Sequence, residues 1–125
     1  MTGFFALALA LFSLLGPACS TGEDCDDIKK RAGALVAEFA ACDAGESCVV
    51  VDLGPVVGNA CLGDFQCFAA LAGESDLSEF SRRARTLEQE FARCEECAMA
   101  DCSNPEGWTA SCDEAQGGCR LRAPE

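Results

Sequence analysis

The sequence predicts a small α+β domain rich in disulfide bonds, in which two amphipathic helices are each followed by short β segments or a hairpin. Three observations predict this fold class. The chain of 125 residues contains 11 cysteines, a density typical of small exported domains stabilised by disulfides. Two segments carry apolar residues at helical spacing. Short runs that are rich in β-branched residues or lie beside a Gly-Gly pair follow these segments.

Composition excludes several classes of function. The formal net charge of −12 repels nucleic acid and anionic membrane surfaces, so neither is expected as the main partner. The chain contains no histidine, which removes the commonest general base and the commonest nitrogen ligand for metals. We therefore expect no enzymatic activity, no catalytic residue, no cofactor and no metal site.

The first 18 residues differ in composition from the rest of the chain. Residues 1–18 contain no charged side chain, and a run of 12 largely apolar residues extends from Phe4 to Leu15. A membrane-spanning helix needs about 20 such residues, whereas the apolar region of a signal peptide needs about 7–15. Gly16 and Pro17 end the run, which disfavours the alternative of a buried core helix. We expect residues 1–18 to be a signal peptide.

Cys19 follows this segment directly. Residues 15–19 read Leu-Gly-Pro-Ala-Cys and resemble the lipobox of bacterial lipoprotein precursors, with a small residue just before the cysteine. The resemblance implies cleavage before Cys19, a lipid thioether on its sulfur, and residues 19–24 as a short tether. The residue after the cysteine is Ser20 rather than an aspartate, which resembles the pattern of lipoproteins sent to the outer membrane. The alternative is ordinary signal-peptidase cleavage after Ala18, which gives a secreted protein.

The parity of the cysteine count favours lipidation. Eleven thiols cannot all pair within one chain, and a free thiol is uncommon in an exported domain. If Cys19 carries a lipid, an even number remains for disulfides. The expected disulfide cysteines are Cys25, Cys42, Cys48, Cys61, Cys67, Cys94, Cys97, Cys102, Cys112 and Cys119.

The chain as a whole resembles the cysteine-rich lipoproteins of myxobacterial envelopes, to which no activity is attached. Such proteins combine a short signal peptide, one lipobox cysteine and an even set of further cysteines. The resemblance implies an exported protein that faces the periplasm or the cell surface. Its partners would be a membrane, through the lipid on Cys19, and a second envelope protein. It identifies no small-molecule ligand.

The first amphipathic helix is predicted from the spacing of its apolar residues. Six apolar or cysteine positions recur at intervals of 3, 4, 3, 4 and 3 between Cys25 and Cys42, which marks one face of a helix. Ser20 or Thr21 is the candidate N-cap. The second helix shows the same intervals between Leu77 and Cys94. Its candidate N-caps are Ser75 and Asp76.

The two helices superpose at an offset of 52 residues, with seven identities in eighteen aligned positions. An internal duplication explains this match, and coincidence in a cysteine-dense chain is the alternative. The units would be residues 25–73 and 74–125, packed as one compact domain. The matched cysteines are Cys42, Cys48, Cys61 and Cys67 with Cys94, Cys102, Cys112 and Cys119.

Short β segments follow each predicted helix. Residues 48–53 are rich in valine and predict a strand that ends in a turn at Gly54-Pro55. Residues 67–71 are the candidate partner strand. In the second unit, residues 111–113 and 118–121 lie on either side of a Gly-Gly turn and predict a small hairpin.

Burying two apolar faces against each other predicts antiparallel helices, with the start of the first beside the end of the second. Cys25 and Cys97 are the two cysteines without a counterpart in the other unit. We therefore predict a Cys25–Cys97 bridge, with the other eight cysteines paired inside their own units.

The Cys94-Glu95-Glu96-Cys97 motif raises thiol redox chemistry as one alternative function. The end of a helix and two glutamates raise the pKa of a thiol, so a structural disulfide is the favoured interpretation. Zinc binding is another alternative for the cysteines of this region. Their spacings match no common zinc finger, and oxidising compartments consume free thiols.

Trp108, the one tryptophan of the chain, lies in a loop near the second hairpin. It is a candidate binding residue, because aromatic side chains on constrained loops anchor partners, and it is equally a candidate cap on a small core. The basic runs 29–31 and 82–85 occupy matching places in the two helices. Ion pairs with acids one turn earlier explain these runs better than a partner contact.

These observations predict a non-enzymatic lipoprotein of the cell envelope that acts as a structural or protein-binding module. A secreted, disulfide-rich inhibitor or effector is the main alternative. Thiol redox or metal-binding activity is a further one.

Overall fold

Helices and antiparallel strand pairs form the fold, as a computed structural model shows for residues 22–94, 97, 101–102 and 106–124. The expected signal peptide, Cys19 and the candidate caps Ser20 and Thr21 lie outside the described residues. The elements in chain order are α1 (Gly22–Ala40), β1 (Cys48–Asp52), α2 (Leu53–Val57), a 3-10 turn (Gly63–Phe65), β2 (Phe68–Ala72), α3 (Leu77–Phe91), β3 (Thr109–Asp113) and β4 (Gly118–Arg122). The predicted α+β, disulfide-rich class is confirmed.

Helix α3 begins where the capping residue Asp76 ends the preceding turn. The Asp76 carboxylate accepts hydrogen bonds from the backbone amides of Ser78 and Glu79, at 3.0 and 3.1 Å. This satisfies two amides that have no partner inside the helix. Ser75, the other candidate, instead donates its hydroxyl to the carbonyl oxygen of Phe39 at 2.9 Å. One candidate therefore caps α3, and the other ties it to α1.

The two long helices pack antiparallel through their predicted apolar faces. The rings of Phe39 and Phe80 meet edge to face at 5.3 Å where α1 ends and α3 begins. A disulfide joins Cys25 to Cys94 at the opposite end of the pair. The other core positions of these faces are buried, namely Ile28, Ala32, Leu35, Ala84, Leu87 and Phe91.

Strands β1 and β2 pair antiparallel, as the sequence predicts, with Val50 opposite Ala70. The expected turn at Gly54-Pro55 is wrong, because the chain there forms the short helix α2. The Asp52 side chain accepts from the Gly54 amide at 3.2 Å and caps the helix. Pro55 lies in the first turn of this helix, where backbone amides have no acceptor within the helix. The amide hydrogen that proline lacks therefore costs the helix no hydrogen bond.

Strands β3 and β4 form the predicted hairpin, with Cys112 directly opposite Cys119. Gly117 lies in the turn with φ 67°, a backbone conformation that is unfavourable for residues with a Cβ atom. The hairpin also contacts the end of α1, since the Cys42 amide donates to the carbonyl oxygen of Gly117 at 3.2 Å. An isolated bridge between Ala41 and Gly118 extends this contact.

The ten described cysteines form five disulfides, and every one of them joins the first predicted unit to the second. The bridges are Cys25–Cys94, Cys42–Cys112, Cys48–Cys119, Cys61–Cys97 and Cys67–Cys102. The predicted Cys25–Cys97 bridge is therefore wrong, and so is the pairing of the other eight within their own units. The strand pairs of the two units contact each other, so the nearest sulfur to most cysteines belongs to the other unit.

Four of these bridges form two equivalent sets. The first-unit cysteines can be matched in order with second-unit cysteines, namely Cys42, Cys48, Cys61 and Cys67 with Cys97, Cys102, Cys112 and Cys119. Under this match, exchanging the two units converts one bridge into another. Cys42–Cys112 then becomes Cys61–Cys97, and Cys48–Cys119 becomes Cys67–Cys102. This exchange symmetry is the arrangement expected of two equivalent units. In this exchange symmetry the counterpart of Cys42 is Cys97, whereas the sequence match makes Cys94 its counterpart.

Among the described residues, Glu88 of α3 is the one buried charged side chain. Its carboxylate oxygens accept hydrogen bonds from the backbone amides of Cys61 and Leu62, at distances from 2.8 to 3.0 Å. A buried carboxylate is stable when amides solvate it in this way. Glu88 thereby fixes the loop that carries Cys61 and leads into the 3-10 turn.

Replacing Glu88 with glutamine tests this role. One carboxylate oxygen becomes an NH₂ donor that faces backbone amides, so we expect Glu88→Gln to lower the free energy of unfolding by about 1–3 kcal/mol. The measurement is denaturant unfolding with the disulfides intact. Glu90→Gln, an exposed position on the same helix, is the matched control and should cost much less. Equal losses in the two variants would contradict the role of Glu88.

Candidate functional site

A groove of about 380 Å³ runs between α1 and α3 on their solvent side. Two ion pairs cross it. Arg31 lies 3.1 Å from a carboxylate oxygen of Glu90, and Arg83 pairs with Glu38. The 52-residue offset relates Arg31 to Arg83 and Glu38 to Glu90, so the two pairs are reciprocal. The floor between them is apolar and includes Leu35 and Leu87.

The arginines of this groove are already partnered within the domain. Hydrogen bonding from Arg83 lowers the pKa of Glu38, and the same contact raises the pKa of Arg83. Arg31 also contacts Asp27 at 3.1 Å, and Arg82 contacts Glu79 at 2.6 Å. These two contacts confirm the intrahelical pairs predicted for the basic runs. The groove is consequently a polar seam between helices, with its charges balanced.

A second concavity, the small-residue cleft, lies between α1, β2 and β4 and has a volume of about 630 Å³. Much of its wall is glycine and alanine, including Gly33 and Ala37 of α1 and Ala69 of β2. Small side chains on three facing elements leave space that larger ones would fill. The volume lies in the range of small-molecule sites.

Two ionisable side chains line the small-residue cleft, because both of its cysteines are held in disulfides. Asp64, from the 3-10 turn, lies beside α1, with its carboxylate oxygens about 4 Å from where a Cβ on Gly33 would stand. Desolvation raises the pKa of Asp64, partly offset by a hydrogen bond from its own backbone amide. Arg120 of β4 lies 3.6 Å from Asp113. This lining therefore offers one negative and one positive charge among small side chains.

The sequence did not point to this cleft. Asp64 is one of 21 acidic residues, and its neighbours along the chain form no motif. Gly33 inside a predicted helix does not point to it either, because a Cβ at this position would stand at ordinary van der Waals distance, about 4 Å, from the Asp64 carboxylate.

Trp108 is half-buried, and its ring lies 6.5 Å from the ring of Phe68 at a tilt of 42°. The loop before it is held close to the end of the chain, because a Cβ on Gly107 would stand 2.7 Å from a Pro124 carbon. Phe68 also lines the small-residue cleft. Trp108 therefore packs as a cover next to the cleft and keeps part of its surface exposed.

The cysteines of the CxxC motif have separate partners. Cys94 bonds to Cys25, and Cys97 bonds to Cys61. The two sulfurs of the motif are therefore not bonded to each other. In an oxidised redox-active CxxC, by contrast, the two sulfurs form one disulfide. The cysteines considered for zinc are likewise in disulfides, so none offers a thiolate. They are Cys94, Cys97, Cys102, Cys112 and Cys119.

Comparison with protein-family models, with curated proteins and with solved structures finds no match to this chain. Within the described part of the chain, none of the helices combines the length and apolar character needed to cross a membrane.

The raised pKa of Asp64 predicts a pH-dependent effect of its replacement. A carboxyl whose pKa is higher in the folded state binds protons more tightly there, so its contribution to stability falls as pH rises through that pKa. Asp64 is exposed, so solvent weakens this effect, and we expect Asp64→Asn to raise Tm only slightly at neutral pH. The gain should vanish at about pH 3, below the pKa of an unfolded aspartate.

Thermal unfolding at both pH values measures this difference. Asp43→Asn, which changes another exposed aspartate, in the turn after α1, is the matched control and should leave Tm nearly unchanged. A lower Tm for Asp64→Asn at pH 7 would show that the carboxylate makes a stabilising contact.

Proposed function

We propose that the protein is a non-enzymatic lipoprotein of a bacterial cell envelope, in which a lipid on Cys19 anchors a disulfide-bonded structural or protein-binding domain. A small domain with five disulfides fits an extracellular or secreted module and an oxidising compartment. The outer membrane is the proposed location, on the basis of Ser20 beside the lipobox-like segment.

The observation that carries this proposal is the complete pairing of the other ten cysteines. Each described cysteine already has a disulfide partner, so none is available to Cys19. An unpaired thiol in an oxidising compartment is exposed to unwanted exchange and oxidation. A lipid thioether removes that thiol, and Cys19 stands directly after an apolar run of signal-peptide length.

A binding or structural role is supported by the lining of the two concavities. The arginines of the interhelical groove pair with acids of the same domain. The small-residue cleft has a wall of mixed polar and apolar surface, with one carboxyl and one guanidinium group, which suits recognition of a partner segment. The chain has no histidine to activate a serine there.

Cys19→Ala tests the anchor. In a bacterial host that processes lipoproteins, the wild-type protein should enter the detergent phase on partitioning, because buried acyl chains contribute about 0.8 kcal/mol per methylene. Cys19→Ala should move to the aqueous phase and lose the lipid mass. Ser20→Ala is the matched control and should stay in the detergent phase.

Intact mass with and without thiol alkylation separates the remaining alternatives. A lipidated protein should carry the acylglycerol mass and take up no alkyl group under native conditions. Wild-type protein that stays in the aqueous phase with one alkylated site, Cys19, would favour the secreted inhibitor or effector. Alkylation at several cysteines would instead favour a thiol redox or metal-binding protein.

A further inference from the structure

Two of the disulfides lie so close together that three of their four sulfurs form one group. Cys42 and Cys48 belong to different bridges, yet their sulfurs and that of Cys119 all lie within 4.8 Å of one another. Cys112 is bonded to Cys42 and completes the set. We call these four residues the cysteine cluster. It lies where the β3–β4 hairpin meets the end of α1 and the start of β1.

The cysteine cluster has a second pairing that the backbone geometry allows. Cys112 and Cys119 are register partners across the hairpin, and directly opposed residues of antiparallel strands have Cα atoms about 4.5–5.5 Å apart. A disulfide accepts Cα separations of about 4.4–6.8 Å. Cys42 and Cys48 are separated by one short turn, and their sulfurs are already neighbours. The same four sulfurs can thus pair between the units or within each unit.

We propose that the cysteine cluster is a disulfide switch, in which a small thiol converts the bridges between the units into Cys42–Cys48 and Cys112–Cys119. This inference does not depend on the lipid anchor. Three residues of the cluster, Cys48, Cys112 and Cys119, are half-buried rather than fully enclosed, so a small thiolate can reach a sulfur.

The exchange balances without net oxidation or reduction. The incoming thiolate attacks the Cys119 sulfur, forms a mixed disulfide there, and releases the Cys48 thiolate. Cys48 attacks the neighbouring Cys42 sulfur, which forms Cys42–Cys48 and releases the Cys112 thiolate. Cys112 then attacks Cys119 across the hairpin, forms Cys112–Cys119, and regenerates the small thiolate.

The switch changes how the hairpin is held. In the structure, two covalent bridges tie β3 and β4 to the first unit. After exchange, noncovalent contacts such as the Ala41–Gly118 bridge hold the two strands against α1. Because β4 forms one wall of the small-residue cleft, release of the hairpin would open that cleft. The bridges Cys25–Cys94, Cys61–Cys97 and Cys67–Cys102 stay in place.

Disulfide mapping of the oxidised domain after incubation with reduced and oxidised glutathione tests the proposal. A protease specific for acidic residues cuts between Cys42 and Cys48, at Asp43 or Glu46, and between Cys112 and Cys119, at Asp113 or Glu114. We expect peptides linked Cys42–Cys48 and Cys112–Cys119 to appear together, while the other three bridges persist. Unchanged linkages, or scrambling over all ten cysteines, would overturn the proposal.

Single cysteine variants give a second test that needs no added thiol. In Cys48→Ser, the freed Cys119 lies next to the Cys42–Cys112 bridge, so we expect the unpaired thiol to distribute among these three residues. In the matched control Cys67→Ser, the freed Cys102 lies outside the cluster and should be the one alkylated site apart from Cys19. Near-native circular dichroism spectra of both variants establish that they are folded and can be compared. Alkylation of Cys119 alone in Cys48→Ser would show that exchange inside the cluster does not occur.

Discussion

The covalent connection between the two halves of the chain is the constraint on which the rest of the structure depends. Each of the five disulfides closes a loop of 35 to 71 residues, and chain-entropy arguments assign about 4 kcal/mol to a single loop of that size. The bridged halves share a core whose largest fully buried side chains are Phe65, Phe80 and Phe91. A core of this size stabilises a small domain only marginally without cross-links.

The antiparallel helix pair gives these bridges their geometry. When α1 and α3 run in opposite directions, the start of one helix faces the end of the other, and Cys25 meets Cys94. The same arrangement brings Arg31 to Glu90 and Arg83 to Glu38, although the members of each pair are far apart in the chain. The disulfides also exchange reciprocally, but their match pairs Cys42 with Cys97, whereas the 52-residue offset of the ion pairs matches Cys42 with Cys94. Both kinds of contact are therefore reciprocal between the units, in different registers.

The features with functional interest arise where the units meet. The small-residue cleft needs α1 and β2 from one unit and β4 from the other. The cysteine cluster also draws on both units, with Cys42 and Cys48 opposite the hairpin cysteines. A cleft that lies across such a boundary can be altered by changing the covalent ties there. For this reason the disulfides are both the source of stability and the place where regulation is proposed.

The sequence by itself determined the local elements: both amphipathic helices, the β1–β2 pair and the hairpin follow from periodicity, side-chain chemistry and turn residues within short stretches. It narrowed the cap of α3 to Ser75 or Asp76, and the structure selected Asp76. It also supplied the antiparallel packing, because two apolar faces with the same spacing have to be buried together. Tertiary structure alone decided which cysteines pair, where Asp64 and Arg120 meet the cleft, and that Glu88 is buried. These outcomes depend on distances between residues some 25 to 70 positions apart, and spacing along a chain does not encode such distances. Oxidation then links covalently the cysteines that folding has brought together.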